Sequence, residues 1–391
     1  MRIALVCDWF LPRVGGIEAH LGDLARELAR AGHSVDVLTP MPPDGGLPAD
    51  ETLPGGVRVR RTPVPLVAPW GLAVPTRARA TLDALLARGH YDVVHAHASL
   101  ISPFAVAGAW AACARALPCV VTHHSVLGRG ARVLAAADRV LRWSTWPVLQ
   151  TAVSDVVARE LRAAVPGLDV TVLPNAIHPD AWALPRPARA PGAPLRVVSV
   201  MRLARRKRPR ALVRAVARMR GLLPAGTPLE VVVAGDGPER ARAERLARRL
   251  GVADAIRFVG WQSRDAVRAL FATSDAFVLP SVLESFGIAA LEARCAGLPV
   301  VAMHRAGVAG FVRHEREGLL AADDEELAHH LARLVTDDAL RERIAEHNRR
   351  TRPAETWARV LARHEQVYRR AIGVAGRTKA GPRRAHAARA G

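Results

Sequence analysis

The sequence predicts an α/β protein built from two Rossmann-like, doubly wound parallel-sheet domains. Three observations carry that expectation. At 391 residues the chain exceeds what one hydrophobic core ordinarily organises. Short apolar runs alternate with amphipathic stretches, the pattern of strand–helix–strand units in a parallel sheet. A Pro-, Ala- and Arg-rich segment ending at Pro194 interrupts this alternation, which then restarts.

The first strand is expected in "RIALVCD". In "IEAHLGDLARELARAGH", Ile17, Leu21, Leu24, Leu28 and Ala31 recur at helical spacing, with Gly32 as the C-terminal cap. Strands follow in "SVDVLTP" and "YDVVHAH", then an Ala-rich helix, then "PCVVTHHS". After a longer helical region come "LQTAVS" and "DVTVLPN". The first domain is set at residues 1–180 and the linker at 181–194. In the second domain, 195–352, strands are expected in "LRVVSVMRL", "LEVVVAGDG", "IRFVGW", "AFVLPS" and "LPVVAM", with helices between them. A late amphipathic helix over 353–373 is expected to pack back on the first domain, and 374–391 reads as a disordered basic tail. Two such domains facing each other would place ligands at the carboxyl ends of both sheets.

Composition excludes some classes of function. Half of the residues are apolar, as in a globular protein with a sizeable core. Cys7, Cys113, Cys119 and Cys295 show no C-x-x-C and read as reduced thiols of a cytoplasmic protein. The opening apolar run is too short for a signal peptide. The longest uncharged stretch, Ala98 to Ala114, is broken by Pro103, against a membrane span. The formal charge of +20 invites a polyanionic partner. Only Lys207 and Lys379 are lysine, however, and the arginines are scattered along the chain as a GC-rich coding bias would scatter them. Nucleic acid is therefore not expected as a partner.

Four motifs carry chemistry. "PSVLESFGIAALEARCAGLPVVA" holds Glu284 and Glu292, eight residues apart. With a helix over 286–296, Glu284 precedes the helix and Glu292 lies about two turns inside, offset by roughly 80°. Between them Phe286, Gly287 and Ile288 offer backbone amides, with Gly287 permitting close approach by a phosphate. Carboxylates accept from sugar hydroxyls, so phosphate between hydroxyl-rich rings describes a nucleotide sugar. A capping box of Ser281 and Glu284, with Glu292 paired to an arginine, is the competing structural reading. The second motif, "VMRLARRKRP", sets Arg202 and Lys207 after a strand, where a diphosphate would lie. The third is Gly15 and Gly16, in the turn before the first helix; without G-x-G-x-x-G this does not indicate a dinucleotide. The fourth is His95, His97, His123 and His124 at strand ends. No Cys-x-x-Cys, His-Glu-x-x-His or Asp cluster completes a zinc set, so one histidine is expected to meet the reacting sugar or position the acceptor.

Glu284-x7-Glu292, Arg202 with Lys207, the Gly15–Gly16 turn and His124 together resemble the retaining glycosyltransferases of family 4, which have the GT-B fold. The likeness runs from "LVCDWFLPRVGGIEAHLGDLARELARAGHSVDVLT" through "AGDGPER" and "RFVGW" to "GVAGFVRHEREGLL". It implies that Glu284 holds hydroxyls of the transferred sugar and Glu292 those of the ribose. Arg202 and Lys207 would neutralise the diphosphate, with Gly16 backbone closing on it. His124 would lie against the sugar near the reacting carbon, with His123 as rival because the doublet leaves the register ambiguous by one; His97 and His123 are candidates for positioning acceptor or sugar. "DWFLPRVGGIEAH", "HAHAS" and "THHSVLG" look closest to the enzymes that glycosylate phosphatidylinositol.

The chain departs from the family's pattern at Met201 and Arg208, where glycines are usual, and at Gly310, where a glutamate is usual. The departures bear on which donor fits. There is no Asp-x-Asp for a divalent metal, so the resemblance implies metal-independent transfer, no cofactor beyond the UDP- or GDP-linked sugar, and same-face attack with retention. "RGARVLAAADRVLRWSTW" and "RVRRTPVPLVAPWG" mix arginines with aromatics and suggest docking of a lipid-linked acceptor, with the protein peripheral on the inner membrane face. The alternatives are a non-catalytic membrane- or polyanion-binding protein and a nucleotide-sugar epimerase of related fold.

Overall fold

The computed structural model describes residues 1–13, 15–42, 46–67, 71–128, 130–185 and 192–380. Its contacts divide the chain into two compact units, Met1–Asn175 with Trp357–Gly391, and Ala176–Thr356.

In the first unit, β1 (Arg2–Cys7), α1 (Gly16–Arg30), β2 (Ser34–Pro40), β3 (Asp50–Leu53) and β4 (Val57–Thr62) come first. A small hairpin of β5 (Leu66–Val67) and β6 (Leu72–Ala73) leads to α2 (Pro75–Gly89), β7 (Val93–Ala98), α3 (Pro103–Ala114) and β8 (Cys119–His123). Then come α4 (Gly130–Leu141), β9 (Leu149–Ala152), α5 (Asp155–Ala164) and β10 (Val170–Val172). The sheet order is β10-β9-β8-β7-β1-β2-β4-β3, parallel except for β3 against β4. The central strand β1 is a continuous buried apolar run after Arg2, as in a parallel sheet covered on both faces. Gly32 ends α1 at φ 85°: its amide bonds Ala29 and that of His33 bonds Leu28, a Schellman closure that a left-handed glycine permits.

The second unit contains β11 (Leu195–Val200), α6 (Pro209–Leu222), β12 (Leu229–Ala234), α7 (Arg240–Arg249), β13 (Ile256–Gly260) and α8 (Arg264–Ala272). It continues with β14 (Ala276–Leu279), α9 (Ile288–Cys295), β15 (Val300–Met303), β16 (Gly318–Ala321), α10 (Asp324–Thr336) and α11 (Asp338–Arg350). All six strands are parallel, in the order β13-β12-β11-β14-β15-β16. The chain then returns to the first unit as α12 (Trp357–Ala380), which packs on α1, β7 and β8.

Three boundaries differ from the sequence reading. The passage between units falls at Asn175 and Thr356. Trp182, placed in the expected linker, is already core of the second unit: it is 1% exposed and packs on Phe271, ring centres 5.7 Å apart. A Pro-rich composition conceals a single large side chain that buries itself. Residues 186–191 of that linker lie outside the described residues. At the far end α12 continues to Ala380, beyond the expected stop at Gly373, because "VAGRTKA" contains no helix breaker stronger than glycine. The remainder of the expected tail, 381–391, lies outside the described residues.

Because Trp182 anchors the entry to the second unit, Trp182→Ala should destabilise that unit by about 3–5 kcal/mol. Denaturant unfolding monitored in each unit separately checks this. An unchanged midpoint for the second unit would show that the side chain is not part of its core.

Candidate active site

In both sheets the strand order reverses, between β1 and β7 in the first and between β11 and β14 in the second. At such a point successive connections leave for opposite faces, and the carboxyl ends stay uncovered. The predicted residues fall at these two places.

In the second unit, β11 ends at Val200 and β14 at Leu279, so the loops starting at Met201 and Pro280 emerge side by side. Lys207 Nζ is bonded to the Glu284 carboxylate, which is 6% exposed. The two loops are also sewn together along their backbones. The Ser281 hydroxyl donates to the Lys207 carbonyl at 3.3 Å, Arg206 to Leu283 O at 3.4 Å, and Arg208 to Pro280 O at 3.0 Å. Ser281 therefore caps no helix, which removes the capping-box reading. The Arg202 side chain is exposed and makes no hydrogen bond or ion pair with any described residue. It is a cation held at the sheet end without an anion.

The helix after Glu284 begins at Ile288, so Glu292 lies one turn inside rather than two, half-buried. Gly287 stands at φ 92°, with Val308 Cγ2 2.6 Å from where a Cβ would be, so backbone conformation and space both require glycine. The first turn of α9 leaves the amides of Ile288 and Ala289 without intrahelical acceptors. Phe286 was expected to offer its backbone amide to the donor. Its side chain lies in the interior, 4% exposed, with its ring centre 5.2 Å from that of Phe311, so only its backbone is available.

The departures from the family pattern have local explanations. Arg208 adopts φ 60°, the left-handed conformation glycine would take without strain. Its guanidinium grips Asp324 with two bonds of 2.8 and 2.7 Å, which offsets that cost. Met201, a departure that bears on which donor fits, has its side chain buried. Gly310 is exposed, with nothing within 4 Å of a Cβ, so its loop is locally open.

In the first unit, register places Cys7 beside His97 and His97 beside Thr122, bringing Asp8, His97 and His124 to one sheet end. Asp8 accepts the amides of Phe104 (2.9 Å) and Ala105 (3.2 Å) at the start of α3. Burial raises its pKa to about 6, against those two amides. His124 Nε2 lies 3.0 Å from His97 Nδ1. His123 turns away, pairing with Gln150 Oε1 at 2.9 Å. The structure thus joins His124, not His123, to the histidine group. His97 is 3% exposed, with its Nδ1 facing His124, which is itself 4% exposed.

That group is larger than the sequence suggested. His20 stacks on Trp357 at 5.4 Å and tilts toward His124 at 6.2 Å. His95 bonds Tyr368 at 2.9 Å and Thr122 at 2.6 Å, and His364 packs against both His95 and Tyr368. His20 was visible in "GGIEAH" at helical spacing from Ile17 and Leu24; His364 and Tyr368 needed the return of α12. Burial holds all six histidines, with His123, below their ordinary pKa, His124 at about 3 and His364 at about 4. They are neutral at pH 7. Among the described residues no group of three or more His, Cys, Asp or Glu is placed to hold a metal ion.

The Gly15–Gly16 turn is already occupied. Glu18 folds back on it, and a Cβ at Gly15 would lie 2.2 Å from Glu18 Oε2. An anion arriving at this helix end meets a carboxylate.

The chain matches the family model "Glycosyltransferase Family 4" over residues 14–181 and "Glycosyl transferases group 1" over 180–351. A D-inositol 3-phosphate glycosyltransferase of Salinispora arenicola is 31% identical, across 93% of this chain and 88% of that one. This protein belongs to glycosyltransferase family 4. A phosphatidyl-myo-inositol mannosyltransferase of Mycobacterium leprae is 28% identical, across 94% of this chain and 96% of that one. Among solved structures, sucrose-phosphate synthase of Thermosynechococcus elongatus aligns with a TM-score of 0.73 at 21% identity, covering 95% and 99% of the two chains. Anabaena HepE in complex with UDP and glucose aligns at 0.70 and 19%, covering 94% and 98%. The fold is therefore GT-B, and the protein is a glycosyltransferase that uses a nucleotide sugar.

Two predictions follow from the histidines. A buried histidine of depressed pKa stabilises the fold fully above pH 6.5 and loses that contribution as pH falls toward the folded pKa, because the unfolded chain takes the proton first. Each of the six loses this contribution as pH falls below 6.5, opposed by Asp8, whose raised pKa acts the other way. The first unit should unfold between about pH 6 and 4 while the second persists, read by circular dichroism and amide exchange. Joint unfolding only near pH 3 would contradict it. Separately, the Nε2 of His97 is buried without a partner, and an orphan lone pair costs less than an orphan N–H. Nδ1 of His97 then donates to His124 Nε2, leaving the proton of His124 on Nδ1. His97→Asn, with an amide N–H where Nδ1 stands, should keep this tautomer in ¹⁵N spectra, and His97→Leu should mix the two. A wild-type His124 protonated on Nε2 would overturn the assignment.

Proposed function

We propose that this protein transfers a sugar, with retention of anomeric configuration and without a metal ion, from a UDP- or GDP-linked donor to a hydroxyl of an inositol-type, lipid-linked acceptor. The observation that supports this most directly is the pairing of Lys207 with buried Glu284, beside uncommitted Arg202 and the start of α9. Glu284, an acceptor of hydrogen bonds, suits sugar hydroxyls, and Glu292 suits the ribose. Arg202 grips the diphosphate with a planar fork. Lys207, held in place by Glu284, follows the charge that develops on the leaving phosphate. Together with the α9 amides they supply the positive charge a metal would otherwise bring. No carboxylate is assigned as a nucleophile, so the leaving phosphate takes the acceptor's proton on the face it departs from. The Glu18 carboxylate makes Gly15–Gly16 a poor phosphate cradle unless that side chain moves.

In the first unit, neutral His124 presents a hydrogen bond rather than a charge, which suits an uncharged hydroxyl. The inositol-type acceptor is supported by the activities for which the Salinispora and Mycobacterium relatives are named. Among the described residues no helix is long and apolar enough to cross a membrane, so a lipid-linked acceptor would be met at a bilayer surface.

Calorimetric titration with UDP and GDP tests the donor half. One nucleotide should bind, and Arg202→Ala should weaken it about tenfold to a hundredfold, with Glu292→Ala removing the ribose contribution. Lys207→Ala should lower kcat more than nucleotide affinity, since its charge acts as the phosphate leaves. Binding of the favoured nucleotide that is indifferent to Arg202 and Glu292 would sink the assignment.

A further inference from the structure

Helix α4 has no buried residue, although it begins at Gly130 directly after the loop that carries His124. At 100° per residue, Val133, Ala136 and Val140 form one stripe, and Arg132 and Arg139 run beside it. Val133 and Val140 are 71% and 81% exposed. Leu141 continues the apolar surface, and so do Leu100 and Ile101 of the loop before α3. That loop is brought against the start of α4: a Cβ on Gly130 would lie 2.7 Å from Leu100 Cδ1. Single exposed valines are ordinary on a surface, but a contiguous set on a helix and the neighbouring loop is not.

Charge selects what covers this patch. Arg132, Arg139 and Arg142 are exposed and make no ion pair with any described residue. The one acidic residue of α4, Asp138, is spent on Ser144, accepting its amide and its hydroxyl at 2.8 Å each. An apolar stripe edged by uncompensated arginines matches acyl chains beneath anionic headgroups, whereas a protein partner of this apolarity would not require a one-sign rim.

We propose that α4, with Leu100 and Ile101, is the surface on which this protein docks to an anionic lipid bilayer. The helix lies in the interface plane with Val133 and Val140 among the acyl chains and the arginines at headgroup level. The proposal gives the lipid-type acceptor reading its location, since the docked segment adjoins His124 in sequence, and its evidence is independent of the donor site.

The test is co-sedimentation of the full chain with phosphatidylglycerol–phosphatidylcholine vesicles and with phosphatidylcholine alone. Binding should require the anionic lipid and fall as salt rises through about 0.5 M. Val133→Asp with Val140→Asp should weaken it at least about tenfold. Arg132→Gln and Arg139→Gln should each weaken it about fivefold. None of these exposed positions should alter nucleotide affinity, which confirms folding. No binding to anionic vesicles, or binding indifferent to the valine substitutions, overturns the proposal. So does a concentration-dependent dimer abolished by the same substitutions, which would make a second copy the occupant. Vesicle binding as expected, with transfer only to a soluble inositol phosphate, would keep the docking surface and reject the lipid acceptor.

Discussion

The reversal of strand order at the centre of each sheet is the constraint on which the chemistry depends. A parallel sheet wound outward in both directions cannot cover the carboxyl ends of its two innermost strands, because their connections leave on opposite faces. Whatever follows β1, β7, β11 and β14 is therefore exposed to a ligand by topology. In this chain those segments are Asp8, the turn after Ala98 with His97 just inside the strand end, the loop from Met201, and the loop from Pro280. The functional side chains did not need a special scaffold. They needed to be the residues written just past those four strand ends.

The two units meet the cost of burying polar groups in opposite ways. The second keeps charge and pairs it. Lys207 answers Glu284, and Arg294 and Arg313 answer Glu317, so neither buried carboxylate faces low dielectric alone. The first also pairs buried Asp36 with Arg58, but its histidine group abolishes charge: rings packed together at distances of 4.0 to 6.2 Å can share one interior only by remaining neutral. The difference suits the ligands proposed for each half, a diphosphate that must be neutralised and a hydroxyl that must only be oriented.

Much of this was legible in the sequence because strands and their exits are local. "RIALVCD", "LRVVSVMRL" and "AFVLPS" announce β1, β11 and β14 by their apolar runs, and Glu284, Arg202 and Lys207 follow within a few residues. What could not be read was contact between distant segments. His95 is completed by Tyr368, and His20 by Trp357, through a helix that follows the whole second unit in the chain. No periodicity encodes that return. The choice between His123 and His124 was equally invisible, since successive residues at a strand's end point to opposite sides and only the neighbouring strand decides which side matters. Trp182 was misjudged for a third reason. Composition and motif position describe the neighbourhood of a side chain, but burial is decided by whether a cavity of its shape exists.

Arg208 shows how a departure from a family pattern can preserve geometry. A glycine after Lys207 would take the left-handed turn freely, and an arginine there costs about 1–2 kcal/mol. The same turn, though, aims its guanidinium at two places at once, the Pro280 carbonyl and the Asp324 carboxylate at the start of α10. The loop carrying Lys207 is thereby tied to the loop carrying Glu284 and to a helix terminus. Flexibility that glycine would give is exchanged for a brace. If Lys207 acts, as proposed, on a leaving group whose charge grows only as the bond breaks, a fixed ammonium is worth more than a mobile one: no reorganisation remains to be done at the moment of transfer. The strain at position 208 and the placement of Lys207 are then one feature of the fold.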